Sequence, residues 1–391
     1  MKLSQRVQAI KPSPTLAVSQ KAAELRASGK DVIGLGTGEP DFDTPEHIKL
    51  AAIEAIKSGF TKYTAVDGIP ELKQAIIKKF ERDNQLTYQA NQILVSCGGK
   101  QSFYNLAQAL LDPGDEVIIP APYWVSYPDM VILAGAKPVI IDSHIEQNYK
   151  ITAEQLAAAI TDKTRLFVIN SPSNPSGMAY SREELTAIGE VLEQHPNIII
   201  ATDDMYEHIL WQDDFVNLLN TNPKLYDRTI VLNGVSKAYA MTGWRIGYAG
   251  GPAPLIAAMK KIQSQSTSNP CSISQKAAVA AINGPQLPVI DMVKAFKQRH
   301  DNVYARLNDM DLITVKPADG TFYIFANVQA AIDKKGLKDD VEFSEKLLSE
   351  QGVALVPGTA FGCPGSIRIS FATSQAILDK ALDRLQAFIK T

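Results

Sequence analysis

The chain has 391 residues, more than one hydrophobic core usually organises, so we expect two domains. A hydrophobic content of 45%, a charged content of 21% and a formal net charge of −3 are typical of a soluble globular protein, and they argue against nucleic-acid and acidic-membrane partners. Three widely separated cysteines and five histidines without paired spacing predict neither a disulfide framework nor a metal site. Because no apolar stretch of about 20 residues occurs and the N-terminus does not resemble a signal peptide, we expect a cytoplasmic protein without a membrane anchor.

The N-terminal part of the chain predicts a polar arm over residues 4–15, followed by a helix that Gly29 ends. The stretch 34–38 has glycine at alternating positions, as in a dinucleotide-binding loop. The prolines that follow it prevent the helix that such a loop requires, so we interpret the stretch as backbone lining a pocket. Further helices are predicted over residues 45–57 and 71–83.

From about residue 93, short apolar runs alternate with helical patterns. The runs are nearly continuously apolar, which is typical of parallel strands buried on both faces. They lie at residues 93–96, 116–120, 136–141, 164–170, 197–203, 229–232 and 246–251. We therefore expect a large α/β domain over residues 46–285, with a mostly parallel sheet flanked by helices and with ligand-binding residues at the strand ends.

After about residue 285 the pattern changes to a long helix followed by short strands, two of them at residues 321–325 and 366–371. This pattern predicts a smaller α+β domain over residues 286–391. The N-terminal segment 1–45 is expected to supply part of that domain.

Three predicted strand ends carry residues that suit a ligand site. Gly98-Gly99-Lys100 lies where a strand becomes a helix, so its backbone could bind a phosphate, although an ordinary helix cap is commoner. Trp124 could stack on a flat ring or simply cover the core. Asn174 lies in a loop that prolines make rigid, where it could cap a turn or donate to a ligand.

Charged residues add a second set of candidates. Asp203 ends a buried strand, so it either lies in a solvated loop or needs a partner such as a protonated pyridine nitrogen. Lys237, eight residues before Arg245, is either a surface lysine or one that forms a Schiff base with a carbonyl cofactor. Arg368 lies in the middle of an apolar run, where it points to solvent or binds an anion such as a carboxylate.

In order and spacing these motifs resemble fold-type I pyridoxal-phosphate enzymes, specifically the class I and II aminotransferases, whose large domain has a mostly parallel seven-stranded sheet. The resemblance covers the whole chain, and it is most similar to subgroup 1b of the bacterial aspartate aminotransferases, some of which also use prephenate. The narrower match is carried by Lys11-Pro-Ser-Pro-Thr15, Gly98-Gly-Lys100, Pro122-Tyr-Trp-Val-Ser and Lys237-Ala-Tyr-Ala-Met-Thr-Gly-Trp-Arg245.

This resemblance implies pyridoxal 5′-phosphate as the cofactor. Lys237 would bind it covalently and then act as general base and acid, while Asp203 would pair with the ring nitrogen. The ring oxygen would accept hydrogen bonds from Tyr206 and Asn174, and Trp124 would stack on the ring. The implied phosphate ligands are Ser236, Arg245, the backbone of Gly98, Gly99 and Lys100, and Tyr63 from the second subunit of a homodimer with shared active sites.

One residue departs from the family pattern. Many relatives place a further phosphate-binding hydroxyl two residues before the serine, where this chain has Gly234. This departure affects one phosphate contact and leaves the rest of the implied site intact.

The resemblance also implies how an amino acid and a 2-oxo acid bind. Arg368 would bind the substrate α-carboxylate with the Gly38 backbone, beside Trp124 and Asn174. The residues implied for the distal carboxylate are Lys100, Thr15 and Lys11, the last of which carries the prephenate hypothesis.

The implied reaction transfers the amino group of L-aspartate to 2-oxoglutarate. Alternatives within the fold are an alanine, aromatic or kynurenine aminotransferase and a C–S lyase. A non-catalytic relative, such as the effector domain of a regulator, is disfavoured because Lys237, Asp203 and Arg368 are all present.

Overall fold

A computed structural model describes residues 1–12, 14–211 and 214–390. Its strands are β1 (Ile33–Gly34), β2 (Ile93–Ser96), β3 (Glu116–Pro120), β4 (Lys137–Ile141), β5 (Thr164–Asn170), β6 (Ile199–Asp203), β7 (Thr229–Gly234), β8 (Gly247–Gly250), β9 (Thr314–Val315), β10 (Tyr323–Asn327), β11 (Val353–Ala354), β12 (Val356–Pro357) and β13 (Ser366–Ser370). Its α-helices are α1 (Gln5–Ala9), α2 (Pro14–Ala27), α3 (Glu46–Lys57), α4 (Pro70–Asn84), α5 (Gly99–Leu110), α6 (Ser126–Leu133), α7 (Ala153–Ala159), α8 (Arg182–Glu193), α9 (Leu218–Thr221), α10 (Ala253–Ser264), α11 (Ser272–Asn283), α12 (Leu287–Asn308), α13 (Gln329–Lys334), α14 (Asp340–Gln351) and α15 (Gln375–Lys390).

The larger sheet confirms the predicted α/β fold with a mostly parallel sheet. Within the described residues it has seven strands in the order β2-β8-β7-β6-β5-β3-β4. Strands β3 to β7 run parallel, whereas β8 is antiparallel to both of its neighbours, β2 and β7. Since the sheet continues from β3 through β7, the carboxyl ends of these strands meet at one edge.

Both faces of this sheet are covered, which explains the continuous apolar runs. Successive strand residues point to opposite faces, so Val231 packs into one core and Leu232 into the other. Helices α3, α4, α8 and α11 contribute to the first core, and α5, α6 and α10 contribute to the second.

A second, antiparallel sheet has the order β12-β13-β10-β9, and β1 pairs in parallel with β11 beside it. Its core joins Ile33 and Leu35 from the N-terminal segment to Phe296, Phe343 and other buried residues of the C-terminal part. This shared core supports the proposed assignment of part of segment 1–45 to the smaller domain. The domain limits 1–45, 46–285 and 286–391 stay a prediction.

Local details agree with the sequence in most places. The capping boxes that begin at Thr152 and Ser181 both form. The predicted arm over residues 4–15 contains α1 and the start of α2, and its Ser13 lies outside the described residues. β10 begins at Tyr323 and not at residue 321, because Thr321 has a φ of 68°, outside the range of a strand. In the described part of the chain no helix combines the length and apolarity needed to cross a bilayer.

Candidate active site

A cavity of about 340 Å³ lies at the carboxyl edge of the parallel strands, between the two sheets. Strands β5 and β6 end in it with Asn170 and Asp203, and α5 begins in it with Gly99. The residues that were predicted from the sequence and that line the cavity are Thr15, Gly38, Gly99, Lys100, Trp124, Asn174, Asp203, Tyr206, Ser236, Lys237, Arg245 and Arg368. The fold therefore brings together residues that are more than 350 positions apart in the sequence.

Lys237 lies in the loop after β7, and its Nζ atom donates to the Gly38 carbonyl at 2.6 Å. Burial, followed by repulsion from Arg368 and Arg245, lowers the pKa of Lys237 to about 8. The side chain is partly buried beside the rings of Tyr206 and Phe322. A lysine with such a pKa has a larger neutral fraction near neutral pH than an ordinary lysine, and the neutral amine is the form that attacks a carbonyl.

Asp203 presents its carboxylate to the same cavity. The Tyr127 hydroxyl donates to Oδ2, and the Met205 backbone N–H donates to Oδ1 at 3.2 Å. Burial raises the pKa of Asp203, while these hydrogen bonds oppose the rise. A partly buried carboxylate held in this way is suited to accept a hydrogen bond from a protonated ring nitrogen.

An anion cradle lies at the start of α5. Gly98 has a φ of 89°, and a Cβ atom built on it would lie 2.3 Å from Arg245 Nη2. Arg245 donates to the carbonyls of Thr242, at 2.9 Å, and of Cys97, at 3.3 Å, so its guanidinium is fixed against the glycines. Together with the free N–H groups of the helix start and the Ser236 hydroxyl, this arrangement can bind a phosphate.

Gly234 leaves little room for a side chain at this position. A Cβ atom there would lie 3.1 Å from the Ile246 carbonyl and 3.1 Å from the methyl group of Met205. Gly234 is buried in β7 and offers no side chain to a phosphate.

Arg368 lies in the middle of β13 with 3% of its surface exposed. It donates from Nη1 to Asn174 Oδ1 at 2.8 Å and from Nη2 to the Gly36 carbonyl at 2.7 Å. Its Nε has no hydrogen-bond partner, and no carboxylate pairs with the guanidinium, among residues 1–12, 14–211 and 214–390. Burial lowers the pKa of Arg368. A buried cation in this state needs an anion, and a carboxylate matches its geometry.

Lys100 and Trp124 lie together at one side of the cavity. The Lys100 Nζ atom is 5.2 Å from the centre of the Trp124 ring, and burial followed by repulsion from Arg245 lowers the pKa of Lys100. Thr15 at the start of α2 lines the same cavity. These side chains can contact a second anionic group.

Three predicted site residues lie outside the cavity lining. Gly98 lies directly behind it and contacts Arg245. Lys11 is exposed, and the Tyr63 side chain, which is 91% exposed, lies on the surface. A second subunit would be needed to bring Tyr63 to a cavity.

Two tyrosines at the site, Tyr127 and Tyr323, were not predicted from the sequence. Tyr127 lies three residues after Trp124 and donates to Asp203, while Tyr323 lies in the cavity beside Tyr206 and Arg368. Pairing β10 with β13 in register would have placed Tyr323 on the face that carries Arg368, since Phe325 pairs with Arg368.

Comparisons with known proteins agree with this geometry. The family model described as aminotransferase class I and II matches residues 30–385. An aspartate/prephenate aminotransferase of Nitrosomonas europaea is 60% identical, with 100% of each chain covered. The crystal structure of the aspartate aminotransferase from Rhizobium meliloti superposes with a TM-score of 0.96 at 48% identity, covering 100% of this chain and 99% of that one. The Thermus thermophilus aspartate aminotransferase with maleate superposes with a TM-score of 0.94 at 42% identity, covering 99% and 100%. The chain belongs to the class I and II aminotransferase family.

Proposed function

We propose that this chain is a pyridoxal 5′-phosphate-dependent aspartate aminotransferase. It would transfer the amino group of L-aspartate to 2-oxoglutarate, giving oxaloacetate and L-glutamate. The observation that carries the proposal is the pairing, in one cavity, of a lysine with a lowered pKa and a buried arginine without a carboxylate partner in the described part of the chain. The names of the relatives, which are aspartate and aspartate/prephenate aminotransferases, support the choice of aspartate.

The residues present fit this cofactor. The Gly98–Gly99 backbone, Ser236 and Arg245 would hold its phosphate, in a cradle that a side chain on Gly98 would fill. Asp203 would hold the ring nitrogen, Tyr206 and Asn174 the ring oxygen, and Trp124 one face of the ring. When bound, the cofactor supplies a conjugated ring that spreads the negative charge developing at the substrate Cα.

The protein side chains provide binding and proton transfer. Lys237 Nζ would accept the proton that leaves the substrate Cα and would donate it again later in the reaction, a role worth ~10²–10⁴-fold in rate. Arg368 would hold the α-carboxylate in the same cavity that Lys237 lines. Lys100 and Thr15 would face the distal carboxylate of a dicarboxylic substrate.

Reduction with borohydride, followed by peptide mapping, tests the proposal. The protein loaded with pyridoxal phosphate should carry a pyridoxyl group on the Lys237 peptide, and the Lys237→Ala variant should not. An adduct confined to other lysines would exclude the assignment. An amino-donor panel separates the alternatives: strong preference for alanine or an aromatic donor over aspartate would point to a different aminotransferase.

Transamination of prephenate to arogenate is a second candidate function, favoured by the aspartate/prephenate relatives. The hypothesis from the sequence rests on Lys11, which is exposed at the N-terminus of the chain. Arogenate formation from prephenate, with a reduced rate in Lys11→Ala, would support it; absence of arogenate would exclude it.

We also propose a homodimer in which Tyr63 of each subunit reaches the cofactor phosphate of the other. The exposure of Tyr63 supports this arrangement, together with exposed Leu50, Ile53 and Ile56 on α3. Light scattering of the wild type would test the assembly: a monomer would exclude it. The dissociation constant of pyridoxal phosphate, which should be larger in Tyr63→Phe than in the wild type, would test the phosphate contact. The cytoplasmic location expected from the sequence stays a prediction.

A further inference from the structure

Tyr323 is a fully buried tyrosine whose two ends contact different parts of the cavity. Its hydroxyl lies 3.1 Å from the Tyr206 hydroxyl. A Cβ atom built on Gly38 would lie 2.5 Å from the same oxygen, so the hydroxyl packs closely against the Gly38 backbone as well as against Tyr206. The carbonyl of Gly38 accepts the hydrogen bond from Lys237. Its ring lies 4.4 Å from the Arg368 guanidinium carbon.

The proton count of the two hydroxyls sets the direction of their hydrogen bond. A tyrosine hydroxyl has one proton to donate and can also accept. If Tyr206 donates its proton to the cofactor ring oxygen, the bond between the two tyrosines requires Tyr323 to be the donor. Burial raises the pKa values of both tyrosines, so both protons are present at neutral pH.

The ring of Tyr323 has a separate role at Arg368. The guanidinium carbon lies 4.4 Å from the centre of the Tyr323 ring and 4.9 Å from the centre of the Phe361 ring. These two rings, with the Gly36 carbonyl and the Asn174 amide, hold the arginine in the absence of a carboxylate partner within the described residues. Contact of this kind stabilises a desolvated cation and fixes its plane.

We propose that Tyr323 is a positioning residue with two separable roles: its hydroxyl orients Tyr206 toward the cofactor, and its ring orients Arg368 toward the substrate carboxylate. The proposal rests on the proposed function. Since the two roles belong to different atoms of one side chain, two substitutions separate them.

The first test replaces the hydroxyl alone. In Tyr323→Phe loaded with pyridoxal phosphate, Tyr206 loses the donor that orients it, so the form with a negatively charged ring oxygen is less stable. The pH midpoint of the cofactor absorbance change should therefore rise, by about one unit or less, the size expected for one hydrogen bond. The dissociation constant for the dicarboxylate maleate, measured by calorimetry, should stay within about twofold of the wild type, because the ring remains under Arg368.

The second test removes the ring. Tyr323→Leu should weaken maleate binding by roughly 5- to 30-fold, the range of a desolvated cation–ring contact. Tyr149→Phe is the matched control, because Tyr149 is a buried tyrosine that packs on the same β10 strand through Phe325 and does not line this cavity in the described residues. It should change neither the absorbance midpoint nor maleate binding.

An unchanged midpoint in Tyr323→Phe would overturn the role of the hydroxyl, and wild-type maleate affinity in Tyr323→Leu would overturn that of the ring. A raised absorbance midpoint together with weaker maleate binding in Tyr149→Phe would show a general packing effect and would overturn the proposal too. Failure of the proposed function looks different: the wild-type chain would then show no absorbance from bound cofactor.

Discussion

The protein buries basic side chains in two neighbouring regions and pairs them in opposite ways. Behind the cavity, Lys79 is fully buried and forms an ion pair with Glu207, whose carboxylate also accepts from Asn84 and Asn233. Lys79 and His208 keep the pKa of Glu207 below its usual range in spite of burial. In the cavity, Arg368 has an amide oxygen and a carbonyl as its acceptors.

The difference distinguishes a structural charge from a binding charge. The charge of Lys79 is neutralised by the protein itself, so it contributes to stability as part of a closed network. Among the described residues, Lys237 and Arg368 have carbonyl and amide oxygens as hydrogen-bond acceptors and no carboxylate in direct contact. A ligand must supply the negative charge that balances them. Substitution of Lys79 should therefore lower mainly the stability of the protein, whereas substitution of Lys237 or Arg368 should lower mainly its activity.

The largest effect is expected for Lys237→Ala. This variant removes the group that moves the substrate proton, so kcat for aspartate should fall by up to ~10⁴-fold. The melting temperature of the apoprotein should change little or rise. Lys261→Ala, which changes an exposed lysine on α10, is the matched control, and it should keep full activity.

Lys79→Met should have the largest effect on stability. It leaves Glu207 buried without its cation, which typically costs about 3–5 kcal/mol. Urea unfolding of the apoprotein measures the loss. The double variant Lys79→Met, Glu207→Gln should recover part of it, and an unchanged midpoint in the single variant would contradict the structural role.

Arg368→Met should show the opposite pattern. Apoprotein stability should be kept or raised, because an uncompensated buried charge is removed, while kcat/KM for aspartate should fall by roughly 10²–10³-fold. If Arg368→Met loses as much stability as Lys79→Met, the distinction between the two regions fails.

The pH dependence of stability sharpens the comparison at Lys237. Its pKa is about 8 in the folded chain against 10.5 for an ordinary lysine, so the folded chain binds fewer protons between these values. Apoprotein stability should therefore rise with pH across this window, by up to about 3 kcal/mol. Subtracting the same curve for Lys237→Met isolates this contribution, and a flat difference would contradict the lowered pKa.

The smallest effect is expected for Lys100→Ala. Lys100 lines the cavity and would contact the distal carboxylate alone, so loss of this one contact should lower kcat/KM for aspartate by about 10-fold. Alanine, which has no distal carboxylate, should react as with the wild type. An equal loss for both donors would remove Lys100 from substrate recognition.

The residues of the cavity could be predicted from the sequence better than the buried network of Lys79 and Glu207 behind it. The strand ends that carry Asp203 and Lys237 follow from local apolar runs, and the resemblance places most cavity residues. Tyr127 and Tyr323 were missed because their contacts depend on how distant elements pack, which no local pattern records. The Lys79–Glu207 pair was missed for the same reason, since its partners are more than 100 residues apart.

The position of the cavity has a mechanical consequence. Lys100 lies in the first turn of α5, which packs on the seven-stranded sheet, whereas Arg368 belongs to the antiparallel sheet with its own core. A dicarboxylate that contacts both Lys100 and Arg368 therefore links two separately packed hydrophobic cores. Its binding free energy stabilises the folded state in which both cores are intact. Saturation with a dicarboxylate should therefore make the two cores unfold as one unit.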